Sequence, residues 1–468
     1  MPPAANPPPM ALRRRLALAA AGTLAAALAA TGSSAAPGGR GVAFYAGGRG
    51  NAGPAPRVEL FRTGFRGAGE PTIGIAKDGT IWSDAREDVV RSTDNGRTWT
   101  LLTLDGHAAT LDPYVYVDRA TGRVWKSDLA GTCQVLSWSD DRGGTWSHAP
   151  AACNQSDHQS ITAGKPTTAV PTNGYPNVLY NCSQTVGYNG YSFATGCAAS
   201  RDGGVSWAPT GTFAFHDPSP YGVGPETGDA GIPGHCMGDN GPIATAPDGR
   251  LYVPRGWCGQ PWLAWSDDEG ATWTRVQVAK NGMNTSHEGG FGFVAPGHGQ
   301  SEHEAAVAAD RFGNVYFLWV GLDRLPYLAV SRDRGATFGA PVRIAPPGLR
   351  EAWGPALDVD DRGRVAVAFM GSANSPGKPF TGSYGETTFT GYLALIPRPT
   401  DPRPLVWAGA VSGPDAPFVY GTCGPGRCDD GVLDFIDVTF HPDGSVWGAF
   451  VDSAQGDELV LGRLRAPR

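Results

Sequence analysis

One eight-residue pattern recurs five times and limits the folds open to this chain. It reads Ser92-Thr93-Asp94-Asn95-Gly96-Arg97-Thr98-Trp99, then Ser139 to Trp146, Ser200 to Trp207, Ser266 to Trp273 and Ser331 to Phe338, with starts 47, 61, 66 and 65 residues apart. In each copy a polar turn carries an Asp and a glycine, then Thr or Ser, then an aromatic. The glycine supplies the positive φ of a tight turn, the Asp accepts backbone N–H groups within it, and the aromatic covers the apolar layer beneath. A single reaction centre does not need the same Asp five times around a molecule, so the pattern reads as the staple of a repeated hairpin.

A second repeat supports the first. Glycine turns lead into β-rich runs at Asp78-Gly79, Gly122, Gly174, Asp248-Gly249, Gly313, Gly363 and Asp443-Gly444, which makes seven units. Each opens with an alternating or apolar run such as Ala305 to Ala309, turns at the glycine, and usually reaches the Ser-x-Asp hairpin between a third and a fourth strand. With 67 Gly and 40 Pro in 468 residues the chain is rich in turns, and its length is compatible with one large all-β domain. Four antiparallel strands per unit, repeated radially, predict an all-β β-propeller of seven blades. Val58 to Arg62 is expected to close the ring by pairing with the C-terminal strands around Val446 to Phe450 and Leu459 to Leu464, which hides the free edges.

The repeated octapeptide resembles the Asp-box, or BNR repeat, of the sialidase superfamily, and the resemblance covers about residues 57 to 468. Sialidases of this kind have six blades, so six is the alternative to seven. The resemblance implies a secreted, sialidase-like glycoside hydrolase that acts on a glycan or glycoconjugate at the central mouth of the propeller. The chain departs from the family where an arginine is expected at the start of the first inner strand: it has Gly69-Glu70-Pro71-Thr72-Ile73 there, and Glu70 would repel a substrate carboxylate. Asp84 to Ser92 resembles the family stretch leading into the first repeat, which puts Arg86 and Asp88 near the rim. Tyr384 close to Glu386 is a candidate for the family's tyrosine and its glutamate partner.

Residues just before each inner strand converge on one end of a propeller channel. In order these are Glu70, Asp112, Asp157 with His158, Asp239 with Asn240, Glu302-His303-Glu304, Trp353, and Asp434 with Asp437. Crowded carboxylates share protons, bind cations or face water. The candidate acid, base or nucleophile residues are Glu302, Glu304, Glu70, Asp112, His158 and Asp239. On a strand Glu302 and Glu304 point to one side and His303 to the other. Arg86, Arg255, Trp257 and Trp353 are candidates for holding a sugar. Three readings stay open: glycosidic hydrolysis between paired carboxyls, a calcium site of oxygen ligands, and a solvated mouth whose side chains accept hydrogen bonds from neighbouring turns. No metal ligands are assigned, and calcium is the one cofactor considered. A non-catalytic propeller that binds a glycan or a protein partner is the alternative function.

The N-terminal stretch has the layout of an export signal, with Arg13-Arg14-Arg15, an apolar run from Leu16 to Ala30, and small residues through Ala36. Residues 1–36 are thus expected as a signal peptide, 37–56 as a flexible linker and 57–468 as a single propeller domain, in a secreted, extracellular monomer with no membrane contact once the signal is removed. A formal charge of -7 argues against nucleic acid as a partner. Eight cysteines in an exported chain suggest disulfides. The simplest pairing is sequential: Cys133 with Cys153, Cys182 with Cys197, Cys236 with Cys258, and Cys423 with Cys428. No Cys-x-x-Cys supports a zinc site.

Overall fold

The computed structural model describes residues 29–30, 36–39, 41–48, 50–104, 110, 112–131, 133–153, 155–168, 170–188, 192–216, 240–257, 260–280, 282, 305–375, 387–420 and 436–467. Seven antiparallel sheets follow one another around a ring, each built on four strands running from the channel outward, with Ala29–Ala30 added to the first and Ala36–Pro37 to the last. The chain is therefore a seven-bladed β-propeller. Blade 1 holds Ile73–Ile75, Ile81–Ala85, Asp88–Ser92 and Trp99–Leu102; blade 2 holds Pro113–Val117, Val124–Ala130, Cys133–Ser139 and Ser147–Cys153. Blade 3 comprises Gln155–Gly164, Val178–Tyr188, Ser192–Ser200 and Ala208–Pro209, and blade 4 Ala244–Thr245, Leu251–Trp257, Gln260–Ser266 and Thr274–Gln277. Blade 5 comprises Ala305–Ala309, Val315–Val320, Pro326–Ser331 and Val342–Arg343, and blade 6 Glu351–Val359, Val365–Ser372, Thr388–Ile396 and Leu405–Ala410.

Blade 7 joins the two ends of the chain, as expected. Asp437–Phe440, Val446–Asp452 and Glu458–Arg465 supply three strands, and Arg57–Arg66 is the fourth, with Leu461 opposite Phe61 and Leu464 opposite Val58. Part of the stretch read as a linker is also in register: Gly41–Tyr45 adds a fifth strand to the outside of blade 6, with Phe44 opposite Val406 and only 1% exposed. An apolar side chain in that strand covers an edge that would otherwise be bare.

The hydrophobic core is distributed between blades. Trp82 and Val89 of blade 1 pack with Val115, Val117 and Val124 of blade 2, and Trp125 of blade 2 packs with Ile161, Tyr175 and Leu179 of blade 3. The five octapeptides seal these interfaces. In each, the Ser hydroxyl donates to its Asp Oδ1 (2.7 to 2.9 Å) and accepts the glycine N–H, while that Asp accepts the N–H of the following Thr or Ser. In four of the five the turn thus folded lies against an aromatic of the preceding blade, and at Gly270 it lies against Thr210. A Cβ on Gly204 would sit 2.3 Å from the Trp125 ring, and one on Gly143 would sit 3.2 Å from the Trp82 ring. The glycine is required both by its positive φ and by this close approach.

The two disulfides within the described residues follow the sequential pairing. Cys133–Cys153 joins the third and fourth strands of blade 2, and Cys182–Cys197 joins the second and third of blade 3; in both, the cysteines are register partners. The pairs Cys236 with Cys258 and Cys423 with Cys428 lie outside the described residues. Among those residues no helix is long and apolar enough to cross a membrane.

Candidate functional site: the channel wall

The glycine turns and octapeptides lie at one face of the ring, so the inner strands begin at the other, here called the mouth. An inner strand is an edge strand, and its outward N–H groups need acceptors. Side chains of the preceding blade supply them. Val115 N–H donates to Thr72 Oγ1 at 2.6 Å, Ala163 N–H to the Tyr116 hydroxyl at 3.2 Å, and Ile243 N–H to Ser160 Oγ at 3.1 Å. Phe440 N–H donates to Asp358 Oδ2 at 3.0 Å, and Ile73 N–H to Asp437 Oδ2 at 3.1 Å. Asp437 of the acidic ring is thus an acceptor for a neighbouring blade, and so is Asp358, which the sequence reading did not single out.

Between blades 1 and 2 lies a group of charges fully withdrawn from water. Asp84, Lys126 and Asp128 are each 0% exposed, and Lys126 Nζ bonds Asp128 Oδ1. Asp84 Oδ2 accepts from both Thr72 N–H (3.0 Å) and Thr72 Oγ1 (2.5 Å). Burial raises the Asp84 carboxyl to about 8, against the opposing pull of the Thr72 donors and Lys126, with Asp437 pushing the same way as burial. Asp437, half-buried in the wall, is raised to about 7, again by burial first, opposed by the Ile73 and Val438 N–H groups and supported by the Asp358 charge. Burial and these same carboxylates hold the Tyr114 hydroxyl well above its usual range. Two carboxyls raised into the neutral range, Asp84 and Asp437, therefore flank the Thr72–Ile73 peptide.

At the lower end Arg119 crosses the channel. Its Nε donates to Ile75 O at 3.2 Å in blade 1, and its Nη2 donates to Phe440 O at 2.7 Å in blade 7 and lies 3.5 Å from Asp358 in blade 6. One side chain of blade 2 thus ties three other blades.

The structure places the sequence candidates at different depths. Glu70 and His158 are each 1% exposed, and His158 has a φ of 57° at a register shift in the first strand of blade 3. Gln159, next to it, donates to Asp112 O, and Asp112 is half-buried. Arg255 is 0% exposed, donating to Thr195 Oγ1 at 3.2 Å with its guanidinium 5.6 Å from the Phe215 ring centre. Trp257 is 1% exposed, edge-on to Phe215 and Trp262. These last two stand in the wall behind the mouth. Trp353 is half-buried beside Phe389, and Arg86 is half-buried at the loop of blade 1 with a φ of 61°. Glu302, Glu304 and Asp239 lie outside the described residues, as do His303, Tyr384, Glu386 and Asp434. Among the described residues no three of His, Cys, Asp and Glu gather as a metal-binding group.

Sequence reasoning missed Asp84, Lys126, Asp128 and Arg119. The signal was present: charges at Lys126 and Asp128 on the same face of an apolar strand as Val124, and Asp84 on the same face as Trp82.

No family model matches the chain, and no curated protein matches it. Among solved structures it is similar to a protein of unknown function from Dyadobacter fermentans, with 15% identity over 93% of this chain and 99% of that one at a TM-score of 0.42. It is also similar to the NanB sialidase from Streptococcus pneumoniae, with 12% identity over 93% and 94% of the chains at a TM-score of 0.42. A third is an α-L-arabinofuranosidase from Fusarium graminearum, with 12% identity over 92% and 98% of the chains at a TM-score of 0.39.

Proposed function

We propose that this chain is an exported, carbohydrate-active propeller that cleaves a glycosidic bond at its mouth. The observation that carries this reading is Asp437, a half-buried carboxyl on the channel wall raised to about 7, so that it offers a proton at neutral pH. Glycoside hydrolysis needs one such proton-bearing carboxyl and a second, ionised one. Asp112 and the sequence candidates Glu302, Glu304 and Asp239 supply the second. The resemblance of the octapeptide to the sialidase Asp-box supports a glycan as substrate. The lack of a clamping arginine at this position of the first inner strand favours a neutral sugar over one bearing a carboxylate. The two disulfides support export to an oxidising compartment, with the Arg13 to Ala36 stretch as the signal.

The test is turnover of a panel of fluorogenic glycosides, a sialoside included, by the wild type and by Asp437→Asn, Glu302→Gln and Glu304→Gln. Loss of about two orders of magnitude or more in kcat in a folded variant supports the reading. A wild type with no turnover of any substrate overturns it.

The alternative, a propeller that binds a glycan or protein without cleaving it, is favoured by one observation: Glu70, His158, Arg255 and Trp257 are at most 1% exposed, too deep to touch a ligand. A glycan array on the same preparation tests it.

A further inference from the structure

The face opposite the mouth is built from the turns that follow the inner strands, and their carboxylates are consumed locally. Asp78 Oδ1 accepts Thr80 N–H at 2.9 Å, and Asp248 Oδ1 accepts Arg250 N–H at 3.2 Å. Asp310 accepts Phe312 N–H, Asn314 N–H, the Asn314 amide and the Tyr316 hydroxyl, all between 2.8 and 2.9 Å. Asp360 holds its own turn and Arg364 in the same way.

One position in these turns carries a different charge. It is occupied by Lys77, Arg119, Lys165, Pro247, Arg311, Asp361 and Pro442 in blades 1 to 7, so four blades bring a cation to the lower rim. Arg119 is engaged across the channel with Asp358. Lys77, Lys165 and Arg311 are exposed and have no ion-pair partner among the described residues.

Two of these cations share a cleft of about 300 Å³, walled by Lys165, Asp248, Tyr252, Asp310, Arg311 and Arg334, with the Arg311 guanidinium 4.8 Å from the Phe312 ring centre. Its far wall is fixed. Arg334 Nη2 sits between Asp248 (2.6 Å) and Asp267 (3.2 Å), and the Tyr252 hydroxyl donates to Arg334 O at 3.1 Å. Asp310 is turned into its own loop, and Asp248 is neutralised by Arg334. The neutral donors around Asp310 leave its formal charge in place, but at 3% exposure it faces its own loop, so the exposed charges of the cleft are those of Lys165 and Arg311, on a protein whose net charge is -7. An acidic surface repels anions in general and makes such a local pair selective. The volume exceeds that of a bare phosphate and suits a sugar-sized body.

We infer that this cleft between blades 3, 4 and 5 is a second ligand site, which takes an oxyanion (phosphate, sulfate or carboxylate) carried on a sugar-sized moiety. Lys165 and Arg311 meet the oxyanion, and Asn314 lines the space for the body that carries it. The site lies on the opposite face from the mouth and works independently of any chemistry there.

The test is calorimetric titration of the full chain with glucose 6-phosphate, glucuronate, inorganic phosphate and glucose at low ionic strength. Saturable binding of glucose 6-phosphate or glucuronate, none of glucose, and a loss of about tenfold or more in Lys165→Ala with Arg311→Ala support the site. Affinity should fall as salt is raised from about 20 to about 300 mM, because screening shortens the reach of the two charges. Lys77→Ala, on the same face outside the cleft, should bind as the wild type does. Equal binding of glucose, undiminished binding by the double variant, or no saturable binding of any anionic probe overturns the inference. Inorganic phosphate binding as tightly as glucose 6-phosphate overturns its sugar-sized part.

Discussion

Thr72 and Asp84 are joined by two hydrogen bonds to one oxygen: the Thr72 hydroxyl donates to Asp84 Oδ2 at 2.5 Å and the Thr72 N–H donates to the same atom at 3.0 Å. The same hydroxyl accepts Val115 N–H of blade 2 at 2.6 Å. Thr72→Val keeps the shape and removes both hydroxyl bonds, which leaves a buried edge N–H without its acceptor. The expected cost is about 2 to 4 kcal/mol in urea unfolding, and Thr72→Ser should recover most of it. A Thr72→Val protein as stable as the wild type would show that the link between these blades rests on apolar packing alone.

Asp84 makes stability depend on pH with a definite sign. Its carboxyl stands at about 8 in the folded protein, above the ordinary value of 3.8 expected when unfolded. Below about pH 4 both states hold the proton, and this group contributes no slope. Between there and about pH 8 the folded state keeps a proton that the unfolded state has released, so stability falls as pH rises, by about 1.4 kcal/mol per unit of difference in pKa. Asp437, raised to about 7, adds to the same trend. Asp84→Asn should flatten the profile and gain on the wild type at pH 9, read as urea midpoints at pH 5, 7 and 9. An unchanged slope in Asp84→Asn would place the pH dependence elsewhere.

The ring was legible in the sequence because its defining features are local. A glycine turn and a Ser-x-Asp hairpin are each written within eight residues, and their repetition fixes the number of blades. Closure was legible too, since Val58 to Arg62 is a β-rich run ahead of the first unit and pairs with the C-terminal strands. The wall of the channel was not, because its chemistry arises between blades. Asp84 has an unusual carboxyl because the neighbouring blades bury it, with Asp437 of blade 7 adding to the rise and Lys126 of blade 2 opposing it. Asp358 and Asp437 are acceptors only because the next inner strand brings an unpaired N–H against them. No window along the chain contains those relationships. Arg255 and Trp257, nominated for a sugar, illustrate the converse: their types suit a ligand, but at 0% and 1% exposure they support the wall.

Gly204 combines two requirements that no other residue meets. Its φ is +94°, and a Cβ would stand 2.3 Å from the buried Trp125 ring of the preceding blade. Gly204→Ala should cost about 3 kcal/mol or more, because backbone strain and overpacking act together. Gly122, at a φ of +82° with nothing near a Cβ, isolates the backbone part, and Gly122→Ala should cost about 1 kcal/mol. Equal losses in the two variants, measured by thermal and urea unfolding, would remove the packing of the octapeptide turn on Trp125 from the account.

The two disulfides of blades 2 and 3 should contribute separately. Cys133–Cys153 and Cys182–Cys197 close loops of 20 and 15 residues, each between register partners already held by their strands. Because the folded strands pair without the sulfur bridge, its effect falls on the unfolded chain, at about 3 kcal/mol for loops of this length. The Cys133→Ser/Cys153→Ser and Cys182→Ser/Cys197→Ser variants should each lose about that much, and their combination about the sum, since the bridges share no partner. A combined loss well above the sum would mean that the bridges stabilise the interface of blades 2 and 3 cooperatively. In that case Trp125, Ile161 and Leu179, which fill that interface, would be the residues through which one bridge senses the other.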